Sequence, residues 1–268
     1  MSLTIHLLGR PRIESPSGDV YQFRSRKSWA LLTFLILNER PPSRRQLASL
    51  LFSEADDPLR ALRWNLSEIR RSLGDSCELE GDPVVLRLPT NSVVDVALVS
   101  KGAWYAAVDL PGLGSELLDG VVIQGAPAFE SWLLSEQRHV AAASEAILHE
   151  AALGSMSRGD KKAALAFAMS AAMMSPLDEN HQALVIRLYR LTGDTAAAEQ
   201  QFKACTELFE RDYVGQLNLY PFFKRPDENL LGLLTLTYVP NYFDILPMYL
   251  VVLAMMPLVI ALHRLHPL

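Results

Sequence analysis

Cysteine is nearly absent from this chain of 268 residues: Cys77 and Cys205 lie far apart, neither in a CxxC pair nor beside a histidine cluster. That spacing excludes a disulfide framework and a cysteine-type zinc module, and a reducing cytoplasm is the default compartment. An excess of positive charge is also missing. The net charge is −5, which excludes a protein that binds nucleic acid with its whole surface and leaves only a local patch for that purpose. No convergent catalytic set stands out, since His139, His149 and His181 are scattered, so no enzyme, cofactor or metal is expected. The opening MSLTIHLLGRPRI has an apolar run too short and too strand-like for a signal peptide, and export of the first part of the chain is not expected. What is present is apolar bulk: 50% hydrophobic residues over this length give room for about two domains with real cores.

The charge is unevenly spread. Residues 1–100 hold 13 Lys and Arg against 12 Asp and Glu, a balance of +1, and the remainder holds 12 against 18, a balance of −6. Within the first hundred, PLRALRWNLSEIRRSLG (Pro58 to Gly74) separates its residues onto two faces at helical spacing. Leu59, Leu62, Leu66, Ile69 and Leu73 form an apolar stripe; Arg60, Trp64, Ser67 and Arg71 lie opposite, with Arg63 flanking and Glu68 as the one outward acid. Pro58 can begin such a helix and Gly74 can end it. A basic outer face suits a phosphate-lined groove, and a solvated amphipathic helix is the plain alternative.

Around this helix, Leu3 to Leu8, Arg12 to Glu14 and Val20 to Phe23 read as strands of a small antiparallel sheet. Arg26 to Asn38 is apolar nearly all round from Trp29 to Leu37 and reads as a central helix. Ser43 and Gln46 form a capping box for a further helix carrying Leu47, Leu50 and Leu51, with Arg44 and Arg45 in its first turn. Phe52 to Asp57 is a loop with three acids, Glu54, Asp56 and Asp57. Cys77 to Leu79 and Val84 to Leu88 pair as a hairpin, and Val93 to Val96 follows as a last extended segment. Strands, three helices and a hairpin make a winged helix-turn-helix, in which the third helix enters the major groove of double-stranded DNA. Arg44 and Arg45 near a helix N-terminus, and Arg87 on the hairpin, are then placed to meet the DNA backbone.

LLGRPRI, RSRKSWALLTFLIL, PPSRRQLASLLF, LRWNLSEIRRSLG and VVDVALV together resemble the DNA-binding half of the SARP/AfsR-type bacterial transcriptional activators. Phe52 stands where that family usually has Trp. The resemblance implies an OmpR-type winged helix that binds direct repeats near promoters, with the loop holding Glu54, Asp56 and Asp57 available to RNA polymerase.

From Leu110 the chain is expected to turn helical, with Phe129 to Leu153 as one long amphipathic helix. Gly159-Asp160 and Gly193-Asp194 repeat at 34 residues, the tetratricopeptide period, and the register pairs Ala164 with Ala198, Ala168 with Phe202, Ala171 with Cys205 and Met174 with Leu208. LLDG, FESWLLSEQR, SPLDENHQALVIRLYRLTGD and ELFERDYVG resemble the bacterial transcriptional activation domain that accompanies the winged helix in the same family. Such an array presents a surface to another protein, and a homodimer through it is expected.

Residues 216–268 change character. Ile245 to Leu262 has 18 residues without a charge, enough for a membrane-spanning helix, with Pro247 and Pro257 as kinks. GLLTLTYVPNYFDILPMYLVVLAMMPLVIALHRLHP resembles a membrane segment of the OpgC-type glucan succinyltransferases, over some forty residues of a much larger multi-span family. A genuine fusion, a frameshift or a chimeric gene would each produce such a tail.

The expected fold is therefore mainly α: a winged helix at 1–100, a tetratricopeptide-like activation domain at 101–215, and a hydrophobic tail at 216–268. The expected function is a DNA-binding transcriptional regulator in the cytoplasm, with membrane tethering by residues 245–262 if the tail inserts. A protein-interaction scaffold and a truncated acyltransferase fusion are the alternatives.

Overall fold

A computed structural model describes residues 3–15, 17–74, 77–101 and 104–216, and the hydrophobic run Ile245 to Leu262 lies outside the described residues. The chain divides into two compact units, Met1–Asp194 and a second that begins at Thr195.

Three short strands, β1 (Thr4–His6), β2 (Arg12–Glu14) and β3 (Val20–Tyr21), form antiparallel pairs in which Ile5 faces Ile13 and Ile13 faces Tyr21. α1 (Arg26–Leu37) follows, with Ser28 to Thr33 buried. α2 (Arg44–Phe52) starts on the expected capping box: Gln46 N–H donates to Ser43 Oγ and Ser43 N–H to Gln46 Oε1. This reciprocal pairing satisfies two of the helix's orphan donors. α3 (Pro58–Leu73) has the expected bounds, and Asp57 caps it by accepting from Arg60 N–H at 2.9 Å. β4 (Glu78–Glu80) and β5 (Val85–Arg87) make the hairpin wing.

The last segment departs from the sequence expectation. Only Val93–Val94 is extended (β6), and it lies parallel to β1, completing a mixed sheet in the order β3-β2-β1-β6 rather than a purely antiparallel one. Asp95 and Val96, expected as strand, open α4 (Asp95–Lys101). The reason is the Asp95 carboxylate, fully buried, which accepts from Leu7 N–H through both oxygens at 2.9 Å, from Leu8 N–H at 3.0 Å and from Val96 N–H at 2.6 Å. It satisfies the end of β1 and the Val96 N–H in the first turn of α4 at once.

After the short α5 (Trp104–Ala107), residues 108–126 run as turns, so helix does not begin at Leu110 as expected. This stretch returns to β1: Leu118 N–H donates to Leu7 O and Gly9 N–H to Glu116 O, both near 2.9 Å. α6 (Pro127–Ser157) then brings Phe129, Leu133, Val140 and Ile147 into the same apolar core as Ile5, Leu31 and Ile69, and Trp132 meets Phe34 edge-on at 4.7 Å. Residue 100 thus falls inside α4, and the core runs through it.

α7 (Lys161–Met174) packs on α6 and on α8 (Glu179–Thr192) through buried Ala152, Ala164, Ala168, Ala172, Val185 and Leu188. Alanine there lets helix axes approach closely, and the three- and four-residue connections make each helix antiparallel to the last. Asp160 caps α7, Asp178 caps α8, and Gly193 ends α8 in the left-handed region at φ 85°, where a side chain would be strained.

In the second unit, α9 (Thr195–Gln216) starts after the repeated Gly-Asp pair. Ala198 and Cys205 are buried like their register partners Ala164 and Ala171, but Phe202 is 60% exposed where Ala168 is buried. The second copy of the repeat therefore departs at that position.

Candidate nucleic-acid interface

α3 is held by a buried polar network that the helical wheel alone does not show. Glu68, expected on the outer face, is buried: its Oε1 accepts from Arg24 N–H at 3.0 Å and its Oε2 from Ser28 Oγ at 2.5 Å. Asn65 is buried beside it, accepting from Ser25 Oγ at 2.9 Å and lying 2.7 Å from Ser28 Oγ, while its amide donates to Ala61 O. Residues of the segment RSRKSW at the start of α1 are thus the partners of WNLSE in α3. Leu59 departs in the opposite sense: expected in the apolar stripe, it is 45% exposed, because the first turn of α3 projects past the layer that Leu62, Leu66, Ile69 and Leu73 fill.

With Glu68 withdrawn, the outer face from Arg60 to Arg71 carries arginines and no carboxylate. Arg60, Arg63, Ser67 and Arg71 are exposed, and Trp64 is 52% exposed among them. Ser67 Oγ donates to Arg63 O and Arg71 Nε to Ser67 O, both within the helix. Arg70, next to them, is used for structure: its Nη2 donates to Leu79 O and fastens α3 to the wing.

Replacing Glu68 by alanine takes the acceptor from Arg24 N–H and leaves Ser28 Oγ with Asn65 alone, at about 1–3 kcal/mol for a group left without a partner. Urea unfolding should read a loss in that range for Glu68→Ala and a smaller one for Glu68→Gln, which keeps an acceptor in place.

The remaining expected contacts are less open. Arg44 N–H donates to Asp82 Oδ1 and Arg44 Nε to Gly81 O, both 2.9 Å, so a carboxylate of the wing sits where the α2 N-terminus would hold a phosphate. Arg45 is exposed beside it. Arg87 is exposed and paired with Glu78 at 2.9 Å, a surface pair of little energetic weight. Glu78, Glu80 and Asp82 outnumber Arg87 on the wing, which therefore adds no positive charge to the face.

The acidic loop has a defined seat. A Cβ on Gly125, which has φ 70°, would fall 1.9 Å from Glu54 Oε2, so the Glu54 carboxylate lies over that backbone just before α6. Asp56 and Asp57 are exposed, and Asp57 is the α3 cap.

A small sheet, a three-helix unit with its third helix presented outward, and a hairpin define a winged helix-turn-helix, extended here by paired helices. Residues 94–213 match the family model of the bacterial transcriptional activator domain, and residues 185–268 match that of the OpgC protein, so the two overlap from 185 to 213, in α8 and α9. Among solved structures, Mycobacterium tuberculosis EmbR in complex with a low-affinity phosphopeptide is similar in fold, with a TM-score of 0.53 and 18% sequence identity. The alignment covers 78% of this chain and 60% of the EmbR chain, so the chain spans less than two thirds of that protein. Curated proteins give no match. The activator domain and the shared fold support the resemblance to SARP-type transcriptional activators, and the OpgC match stands beside it at the C-terminal end. No helix among the described residues is long and apolar enough to cross a membrane.

Proposed function

We propose that this chain is a transcriptional regulator that binds double-stranded DNA through the outer face of α3. The observation that carries the proposal is the withdrawal of Glu68 into the core, which leaves Arg60, Arg63 and Arg71 around Ser67 and Trp64 with no opposing carboxylate. Arginine pairs with guanine through two parallel hydrogen bonds in the major groove, and an exposed aromatic can meet a thymine methyl group. Arg45 is placed for phosphate, while Arg44 and Arg87 serve the wing first. The paired helices α6 to α8 offer a tetratricopeptide-like surface through which two copies would sit on neighbouring sites. A footprint of the full chain on DNA upstream of its own gene tests this: a protected segment is expected, and full cleavage at low salt with a correctly folded sample argues for a protein-binding scaffold instead.

The loop of Glu54, Asp56 and Asp57 would be repelled by DNA phosphates and is proposed to meet RNA polymerase. Alanine at all three positions would also remove the α3 cap, costing about 1 kcal/mol. The amide variant Glu54→Gln, Asp56→Asn, Asp57→Asn removes the charge and keeps a capping side chain. It should occupy its DNA site normally while stimulating transcription less in a reconstituted assay, and lost occupancy would place the loop at the DNA.

A further inference from the structure

His149 and His181 stand 32 residues apart in sequence, and the packing of α6 and α8 brings their rings to 5.1 Å between centroids. They lie in one cleft of 660 Å³ with Glu145 and Asp178. His181 is only 7% exposed, yet neither of its ring nitrogens makes a hydrogen bond, and the buried His149 Nδ1 makes none either. Polar atoms so placed are costly unless something satisfies them.

Two carboxylates lie beside the His181 nitrogens. His181 Nε2 lies 3.2 Å from Glu145 Oε1, and His181 Nδ1 lies 3.5 Å from Asp178 Oδ1. The first distance is short enough for a hydrogen bond but the direction is wrong for one. It does fit two ligands of one ion: metal–ligand bonds of about 2.0–2.2 Å at tetrahedral angles put ligand atoms roughly 3.3–3.5 Å apart. Glu145, His181 and Asp178 each offer a ligand atom within 4.8 Å of the others.

We infer that Glu145, Asp178 and His181 form a binding site for a divalent transition-metal ion of the zinc type, bridging α6 and α8, with His149 beside it in the cleft. Glu145 and His149 are four apart on α6 and so share a face. His181 supplies a ring nitrogen, and Asp178, whose Oδ1 lies 3.5 Å from His181 Nδ1, supplies a carboxylate oxygen. The second oxygen of Glu145 accepts from Ser175 Oγ at 2.6 Å, which steers Oε1 towards the histidines. An imidazole nitrogen beside two carboxylates suits zinc better than magnesium or calcium, which take oxygen ligands alone. Around the cleft, Glu150 adds a negative charge and Arg187 a positive one, so carboxylates outnumber cations three to one. A fourth position remains for water.

The test is zinc titration of the purified, chelator-stripped full chain, followed by calorimetry and thermal melting, with cobalt as a spectroscopic reporter. One zinc per chain and a raised melting temperature are expected. Cobalt should give the visible bands of a four- or five-coordinate nitrogen and oxygen site without thiolate charge transfer, which separates this site from binding at Cys77 or Cys205. His181→Ala should weaken affinity by about 100-fold or more, and Asp178→Asn, which keeps the helix cap, by about 10-fold or more. Should His181→Ala fold poorly, Glu145→Gln with circular dichroism as the folding control provides the same comparison. Absent zinc binding, or binding of undiminished strength in His181→Ala, Asp178→Asn and Glu145→Gln, overturns the inference.

Discussion

Replacing Arg63 and Arg71 together by alanine is expected to weaken specific DNA binding by at least about 30-fold, since each arginine at a base edge is worth about 1–3 kcal/mol. The two side chains are eight residues apart, roughly 12 Å along the helix axis, so their losses should add. Neither residue is part of the Ser25–Ser28–Asn65–Glu68 network that holds α3, and thermal stability should hardly change. Salt then distinguishes their roles. A residue that reads a base leaves the salt slope of the affinity unchanged and relaxes preference at one position; a residue on phosphate lowers the slope by about one and weakens all sequences alike. Anisotropy of a labelled duplex measures both, and undiminished affinity of the double variant would place the contact surface elsewhere.

Asp95→Ala is expected to be the most destabilising single substitution of those considered. Its carboxylate is the partner of Leu7 and Leu8 N–H, both buried, and deleting it leaves two donors with no acceptor at about 1–3 kcal/mol each. A loss of about 2–6 kcal/mol consumes much of the stability of an ordinary domain. The effect should reach across the first unit, because Leu7 also pairs with Leu118 and Gly9 with Glu116 on the stretch leading to α6. Asp95→Asn presents one acceptor oxygen and turns an NH2 towards a backbone donor, so it should fall between wild type and alanine. A midpoint of urea unfolding unchanged in Asp95→Ala would contradict the role given to this residue.

The sequence was most readable where structure is local. The capping box at Ser43 and Gln46, and both ends of α3, follow from residues within a few positions of each other, and the structure places them as expected. The errors concern partners distant in sequence. A helical wheel puts Glu68 outside because it cannot see Ser28, 40 positions earlier, and it puts Leu59 inside because periodicity does not tell where the packed layer ends. Val93–Val94 is too short to carry an alternation, and only the buried Asp95 explains why the chain turns helical there. No pattern in the first hundred residues announces that their core continues into α6, which Phe34 and Trp132 join. His139, His149 and His181 look scattered along the chain, yet the helical pairing unites two of them. The available signal was a glutamate and a histidine four apart on α6 with Asp178 and His181 three apart at the start of α8.

The salt dependence of DNA binding by the full chain tests the central claim most directly. If the basic face of α3 sits in a groove lined by phosphates, log affinity should fall linearly with log salt, by about 0.9 in slope for each phosphate that a residue such as Arg45 neutralises on duplex DNA. A slope near zero, or no binding to any duplex at low salt by a folded sample, would contradict the account and assign the basic face of α3 to a protein partner.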